Sequence, residues 1–211
     1  MSNDGVRSVK QARSIERREA ILSAAVTMFM RERVSAITHR SVAAAANVPL
    51  GAIRYYFSSR EELLLETLTR VEQRRHDEAT RILTRASPAS SIHDCAELLL
   101  RAYVGPPSGS HKLDDHHLIT TVGWLVDVPR ESAALSARLL ENWQPISADL
   151  RAILYRCDRV MPVNLVTHVI DGAIVVNFSW ERGELVSRVL DAVSQQLEFA
   201  QARGLHLPKP D

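Results

Sequence analysis

Apolar side chains recur at intervals of three and four residues through almost every long segment of this 211-residue chain. This spacing places them on one face of an α-helix, whereas a half-buried strand needs a strict alternation that no stretch sustains. The sequence therefore predicts an all-α fold of about nine helices.

Capping residues, prolines and glycines set the expected helix boundaries. The predicted helices span residues 14–31, 38–46, 49–56, 59–85, 92–104, 113–126, 131–157, 163–181 and 184–203. Residues 1–12 are polar and are expected to form a mobile arm, the sixth helix should end before Pro129, and Pro145 should kink or break the seventh. We expect an N-terminal domain over 1–58 and a helical body over 59–211.

The composition limits where such a chain can reside. Apolar residues make up 45% of it, enough for a buried core, but no apolar run approaches the roughly 18 to 20 uncharged residues that span a bilayer. The first ten residues lack the apolar block of a secretion signal. A soluble cytoplasmic protein is expected, with Cys95 and Cys157 as reduced thiols because neither has the spacing of a zinc site.

The charge is unevenly distributed. Residues 1–60 carry ten Lys and Arg against four Asp and Glu, which is +6, whereas the remainder carries sixteen against twenty-one, which is −5. A cationic module on an acidic body is typical of a protein that meets a polyanion at one end only.

Within the cationic module, residues 37–60 have the local signals of a helix-turn-helix. Thr38 is a good N-cap, and Ile37 and Val42 are spaced to form a hydrophobic staple across it. Asn47 falls where the chain must turn in a left-handed conformation, and Pro49 suits the first position of the next helix.

The second of these short helices has an outward face that suits the major groove of DNA. It presents Leu50, Gly51, Ala52, Arg54 and Tyr55. Small residues at its start would let the backbone approach the bases, and Arg54 could pair with guanine or phosphate. Arg40 is the other candidate for guanine, while Thr38 and His39 are placed to meet phosphate.

These residues resemble the tetracycline-repressor (TetR) family of bacterial transcription regulators, closely over residues 14–66. The resemblance rests on the helix-one pattern of residues 17–29, on Ile37-Thr38, Val42-Ala43, Val48, Gly51, Ile53 and Tyr56-Phe57, and on the segment 59–63. It implies an all-helical homodimer, most often a repressor that a small molecule releases from a near-palindromic operator. It also implies DNA contacts from Thr38, His39, Arg40, Leu50, Gly51, Ala52, Arg54, Tyr55 and Tyr56, with Arg60 in place of a lysine that touches phosphate.

The chain departs from the family pattern at three positions. Asn47 replaces the usual glycine, Pro49 replaces a small polar cap, and Arg54 replaces a frequent tyrosine. The last change makes a guanine or backbone contact the expected role of Arg54.

The body of the chain carries one dense group of potential metal ligands, at His111, Asp114, Asp115, His116 and His117. Adjacent histidines on a helix point about 100° apart, so a solvated helix start is favoured over a metal site, and no cofactor is expected. The alternative is a helical enzyme that uses His111, Asp115 and His117 with a metal. The family resemblance keeps His117 as a candidate ligand contact.

Several aromatic and amide side chains could line an effector cavity, although ordinary core packing explains them equally well. They are Tyr103, Trp124, Trp143 and Phe178, with Asn142 and Asn177 beside aromatic residues. No charged residue stands out as a counter-ion, which favours a largely apolar effector.

The last two helices, over about 163–203, carry more apolar surface than one side of a surface helix needs. A four-helix contact between two copies would bury the excess, and a purely internal core is the alternative. The family layout favours the dimer. An activator, or a regulator without an effector, would have the same sequence pattern.

Overall fold

The computed structural model describes residues 3–107, 112–177 and 183–203. In these ranges the chain forms nine α-helices, a short 3₁₀ turn (Val34–Ala36) and no β-strand, so the predicted all-α class is confirmed. The helices are α1 (Asn3–Phe29), α2 (His39–Ala45), α3 (Leu50–Tyr56), α4 (Arg60–Leu83), α5 (Ile92–Val104), α6 (Asp115–Glu131), α7 (Ala133–Arg156), α8 (Val163–Asn177) and α9 (Leu185–Ala202).

The first helix is longer than expected. It begins at Asn3 rather than near Ser14, so the prediction of a mobile arm is wrong for the described residues of that segment. No proline interrupts residues 3–13, and Gln11, Ala12 and Arg13 favour helix and lead directly into the apolar pattern.

Two prolines are tolerated inside helices. Helix α6 continues through Pro129 to Glu131, where Val128 is buried and holds the last turn against the core. Helix α7 runs unbroken through Pro145, so the expected break is absent. Pro145 is exposed, as is Glu141 one turn before it, so water can satisfy the carbonyl that loses its partner.

Two apolar clusters stabilise the fold. The first joins α1, α2 and α3 to the first half of α4 and includes Trp124, Val128 and Leu135 from α6 and α7. The second joins the remainder of α4 to α5, α7, α8 and α9. Helix α4 thus contributes to both clusters, and the domain boundary after residue 58 stays a prediction.

None of the helices in the described ranges is both long and apolar enough to cross a membrane.

Candidate nucleic-acid interface and internal cavity

A reciprocal pair of hydrogen bonds fixes the start of α2. The Thr38 side chain accepts from the Ser41 amide at 3.1 Å, and the Ser41 side chain accepts from the Thr38 amide at 2.9 Å. The prediction that Thr38 is the N-cap is confirmed. Its partner Ser41 was not foreseen, because Glu or Gln usually occupies this position of a capping box.

The turn between α2 and α3 depends on Asn47. Its φ of 52° lies in the left-handed region, as predicted. Pro49, with a φ of −59°, is the N-cap of α3 rather than its first residue, so the helix begins one position later than predicted. Proline has no side-chain acceptor for the first turn, and that end of α3 therefore has no side-chain cap.

Helix α3 has one buried and one exposed side. Ile53 is fully buried, and so is Phe57 at its C-cap, whereas Tyr55 is 79% exposed and Leu50 is 38% exposed. Arg54 and Gly51 are also exposed, and a Cβ added at Gly51 would meet nothing within 4 Å. The helix is thus anchored on one side and presents a small, then cationic and aromatic, surface on the other.

Tyr56 joins this surface to α1. Its hydroxyl is 3.0 Å from the Ser14 hydroxyl, and its ring meets the Tyr55 ring edge-on at a centroid distance of 5.0 Å. Sequence reasoning missed Ser14, which lies 42 positions from Tyr56 in the chain. Tyr56 is half-buried and orients Tyr55.

At the start of α2, Arg40 is exposed and His39 is half-buried. The His39 Nε2 atom is inaccessible and has no hydrogen-bond partner among the described residues. The exposure of Arg40 is therefore compatible with the predicted contact to guanine, whereas only part of the His39 side chain faces outward.

Arg60 has partners within the molecule. Its Nε donates to the Ile37 carbonyl at 2.7 Å, and its Nη2 donates to the Val34 carbonyl at 2.8 Å. Both Nη atoms also donate to Glu131. The guanidinium thus connects α4 to the segment before α2 and to the end of α6. The phosphate contact expected of Arg60 stays a prediction.

The described members of the histidine and aspartate group face different partners. Asp115 accepts hydrogen bonds from the Gly183 and Val186 amides, and His116 Nε2 lies 3.0 Å from the Arg31 carbonyl. His117 is buried with Nε2 3.2 Å from the Gly105 carbonyl, and burial lowers its pKa. His111 lies outside the described residues, within which no three potential ligands converge on one metal position.

Four of the candidate effector contacts surround one internal cavity of about 80 Å³ between α4, α5, α6 and α7. They are Tyr103, Trp124, Asn142 and Trp143. Asn177 instead donates to the Ala173 carbonyl at 2.7 Å within its own helix. His117 lies outside this cavity, and Phe178 lies outside the described residues.

The cavity wall also contains charge, which the sequence did not lead us to expect. Glu72 and Arg75 of α4 both line it, and the Arg75 Nε donates to the Glu72 carboxylate at 3.0 Å. One signal was present in the sequence, because Arg75 continues the apolar face of α4 after Leu68 and Val71. A charged residue in such a position is buried and needs a partner.

These features define an all-helical protein with an N-terminal helix-turn-helix. Residues 21–67 match the model of the N-terminal domain of bacterial regulatory proteins of the tetR family, so the resemblance is confirmed over that segment. No curated protein matches the chain significantly in sequence.

Solved structures show the same fold at low sequence identity. A protein from Streptomyces coelicolor A3(2), SCO7518, described as a transcriptional regulator, has a TM-score of 0.60 and 20% identity over 86% of this chain and 98% of its own. A protein from Saccharomonospora viridis, described as a transcriptional regulator in complex with choline, has a TM-score of 0.62 and 18% identity over 89% and 96%. The TetR-family regulator PfmR from Thermus thermophilus has a TM-score of 0.52 and 19% identity over 83% and 97%. The chain therefore has the fold of TetR-family transcriptional regulators.

Proposed function

We propose that this chain is a homodimeric, sequence-specific DNA-binding repressor that a small effector releases from its operator. The observation that carries the proposal is the exposed side of α3, where Arg54 and Tyr55 project from a helix whose opposite side, at Ile53, is fully buried. An exposed arginine and tyrosine beside Gly51 have no role in the core. A regulator of this kind acts in the cytoplasm, together with its DNA.

On DNA, α3 enters the major groove with Gly51 and Ala52 leading and Arg54 facing base edges or phosphate. Two copies bound to a near-palindromic operator place their α3 helices about 34 to 36 Å apart, in successive major grooves. Arg40 from α2 provides the second basic contact, and Thr38, His39 and Tyr56 lie at the edge of the same surface. Arg60 holds this surface in place through the carbonyls before α2.

The dimer forms through α8 and α9. Apolar side chains remain exposed on these two helices, among them Val176 at 70% and Phe199 at 54%, together with Leu165 and Val175. Exposed apolar side chains grouped in this way favour an interface, and a twofold contact covers the same patch on both copies.

The internal cavity is the proposed effector site. Choline in the Saccharomonospora viridis relative supports a small-molecule effector for this chain as well. Trp124 connects the cavity to the DNA-binding region, because it lines the cavity and also packs on Phe29 of α1 at a ring-centroid distance of 5.5 Å. An effector that displaces Trp124 therefore alters the support of α1.

Selection of binding sites from a random double-stranded DNA library tests the DNA-binding part. We expect a near-palindromic sequence whose half-sites are about 10 to 10.5 base pairs apart, centre to centre, or a multiple of that distance. Val176→Glu should yield a monomer in sedimentation and weaken binding to that sequence. Leu140→Glu on α7, where Leu140 is 73% exposed, is the matched control and should remain dimeric. Recovery of no preferred sequence would contradict the proposal.

A further inference from the structure

The charged side chains in the wall of the cavity between α4, α5, α6 and α7 cancel one another. Glu72 and Arg75 line the cavity, and Arg75 Nε donates to Glu72 at 3.0 Å. The other two nitrogen atoms of Arg75 donate at 3.0 Å to the Ala102 carbonyl and to Asp149. Arg75 thus has no nitrogen left for an anion, and the charge of Glu72 is already balanced. The wall is suited to a neutral occupant.

Two buried donors in the same wall lack partners. Trp124 Nε1 and Asn142 Nδ2 are inaccessible to solvent and have no hydrogen-bond partner among the described residues. Trp124 as a whole is only 7% exposed. A buried donor without a partner lowers stability, so both atoms favour an occupant that brings a hydrogen-bond acceptor.

The hydroxyl groups of the wall already have partners. Tyr103 donates to Asp171 at 2.9 and 3.0 Å, and Thr121 donates to the His117 carbonyl at 2.9 Å. Among the described residues that line the cavity, the unpaired buried atoms are both donors. An occupant that accepts hydrogen bonds without donating any therefore matches the wall better than an alcohol or water does.

The volume of the cavity limits the size of its occupant. An apolar cavity of about 150 Å³ holds benzene, so each non-hydrogen atom needs about 25 Å³. This cavity of about 80 Å³ therefore holds about three or four such atoms. Leu125, Leu139 and Ile146 also line it and favour an apolar remainder.

We propose that this cavity binds a small neutral carbonyl compound, a ketone or aldehyde of about three or four non-hydrogen atoms. Its oxygen accepts from Trp124 Nε1 and Asn142 Nδ2, because a carbonyl oxygen has two lone pairs. Its alkyl groups pack against the apolar part of the wall. The inference rests on the proposed effector cavity and specifies its ligand class.

Four probes of nearly equal size separate the possibilities: acetone, acetate, isopropylammonium and the apolar 2-methylpropene. Each is titrated into the full-length protein without DNA, and binding is followed by heteronuclear NMR. A ligand of this size binds no more tightly than a Kd of about 0.05 mM, so acetone is titrated to about 50 mM. Acetone should bind at least about fivefold more tightly than each of the other three probes.

The indole N–H signal of Trp124 reports the hydrogen bond directly. The chain has three tryptophans, and the signal that Trp124→Phe removes is that of Trp124. Acetone should move the proton of this signal downfield in a saturable way, because the indole N–H gains an acceptor. 2-Methylpropene, which has no acceptor, should not produce the downfield shift.

Trp124→Phe removes the donor and keeps an aromatic ring, so it should weaken acetone binding at least about threefold without weakening that of 2-methylpropene. Chemical shift changes of backbone amides measure both affinities. Trp143→Phe, which changes another ring of the same wall, is the matched control and should keep the preference for acetone.

Equal or tighter binding of acetate, isopropylammonium or 2-methylpropene to the wild-type protein would overturn the proposal, and that comparison does not depend on a variant folding. An indole signal of Trp124 that does not move with acetone would also overturn it, because the cavity would then be left to water. The assay contains no DNA, so its failure is distinguishable from a failure of operator binding.

Discussion

Arg60 and Glu131, 71 positions apart in the chain, form a two-pronged ion pair with N–O distances of 2.5 and 3.1 Å. Hydrogen bonding from Arg60 lowers the pKa of Glu131. The pair joins the first residue of α4 to the last residue of α6, and the same guanidinium holds the Val34 and Ile37 carbonyls just before α2. Arg60 therefore connects the DNA-binding helices to the body, in addition to the apolar contacts of the first cluster.

Replacing Arg60 by Ala should lower the free energy of unfolding by about 2 to 3 kcal/mol, because two carbonyls and a carboxylate lose their donor. Glu131→Gln should cost less, about 0.5 to 1.5 kcal/mol, since the carbonyl contacts remain. Urea denaturation measures both, with the exposed Glu61→Gln as control. Because the pKa of Glu131 is lowered on folding, its contribution is complete above the unfolded value of about 4.3 and is lost as the pH falls through the folded value.

If Arg60→Ala keeps wild-type stability but loses affinity for DNA, the result would support the phosphate contact that the sequence predicts for Arg60. It would also show that the Arg60 contacts do not stabilise the junction of the two regions.

Arg54→Ala should weaken specific DNA binding by about 1 to 3 kcal/mol per half-site, because it removes the exposed cation at the centre of α3. Fluorescence anisotropy with the selected operator measures this loss. Arg151→Ala, which removes an exposed arginine from α7, is the matched control and should bind as the wild type does. Unchanged affinity of Arg54→Ala would refute its assignment.

Asn47→Ala should be less stable than Asn47→Gly by about 1 kcal/mol, because alanine resists the left-handed conformation that glycine adopts freely. The observed φ of 52° requires that conformation. Inside α2 the order is reversed, because glycine is less favourable than alanine in a helix. Ala44→Gly should therefore lower the free energy of unfolding by about 0.5 to 1 kcal/mol. Chemical denaturation measures the free energy of unfolding of the three variants. If Asn47→Ala is as stable as Asn47→Gly or more stable, the turn does not need a residue in the left-handed conformation.

The sequence predicted the helix-turn-helix well because its determinants are local. Thr38 and Asn47 act through neighbours within a few residues, and the buried position of Ile53 follows from helical spacing. The cavity could not be predicted in the same way. Arg75 meets Asp149 across 74 positions, and Tyr103 meets Asp171 across 68, so their pairing depends on how four helices pack.

The difference between local determinants and helix packing also explains why the predicted helix end and helix break at the prolines were wrong. Pro129 and Pro145 both favour a helix end locally, but burial of Val128 and solvent access beside Pro145 decide otherwise. Local propensity is a weak guide wherever packing supplies the larger free energy.

Glu72 should make stability depend on pH. Burial raises its pKa, and Asp149 adds to this effect while Arg75 opposes it. Because the folded value lies above the unfolded value of about 4.3, the folded protein takes up the proton first as the pH falls, and the cost of burying the charge is relieved in that window. As the pH falls from 7 to about 4.3, the free energy of unfolding of the wild type should therefore rise relative to that of Glu72→Gln. Urea titrations at several pH values measure the difference, and a constant or falling difference would show that Glu72 is not desolvated.

Photo-crosslinking from Tyr55 tests the central claim most directly. With p-benzoylphenylalanine at position 55, we predict crosslinks to bases in both half-sites of the selected operator, about 10 to 10.5 base pairs apart or at a multiple of that distance. The same group at Tyr155, which is exposed on α7, should give none. Crosslinks from position 155 but not from position 55 would contradict the account, because they would place the body rather than α3 against the duplex.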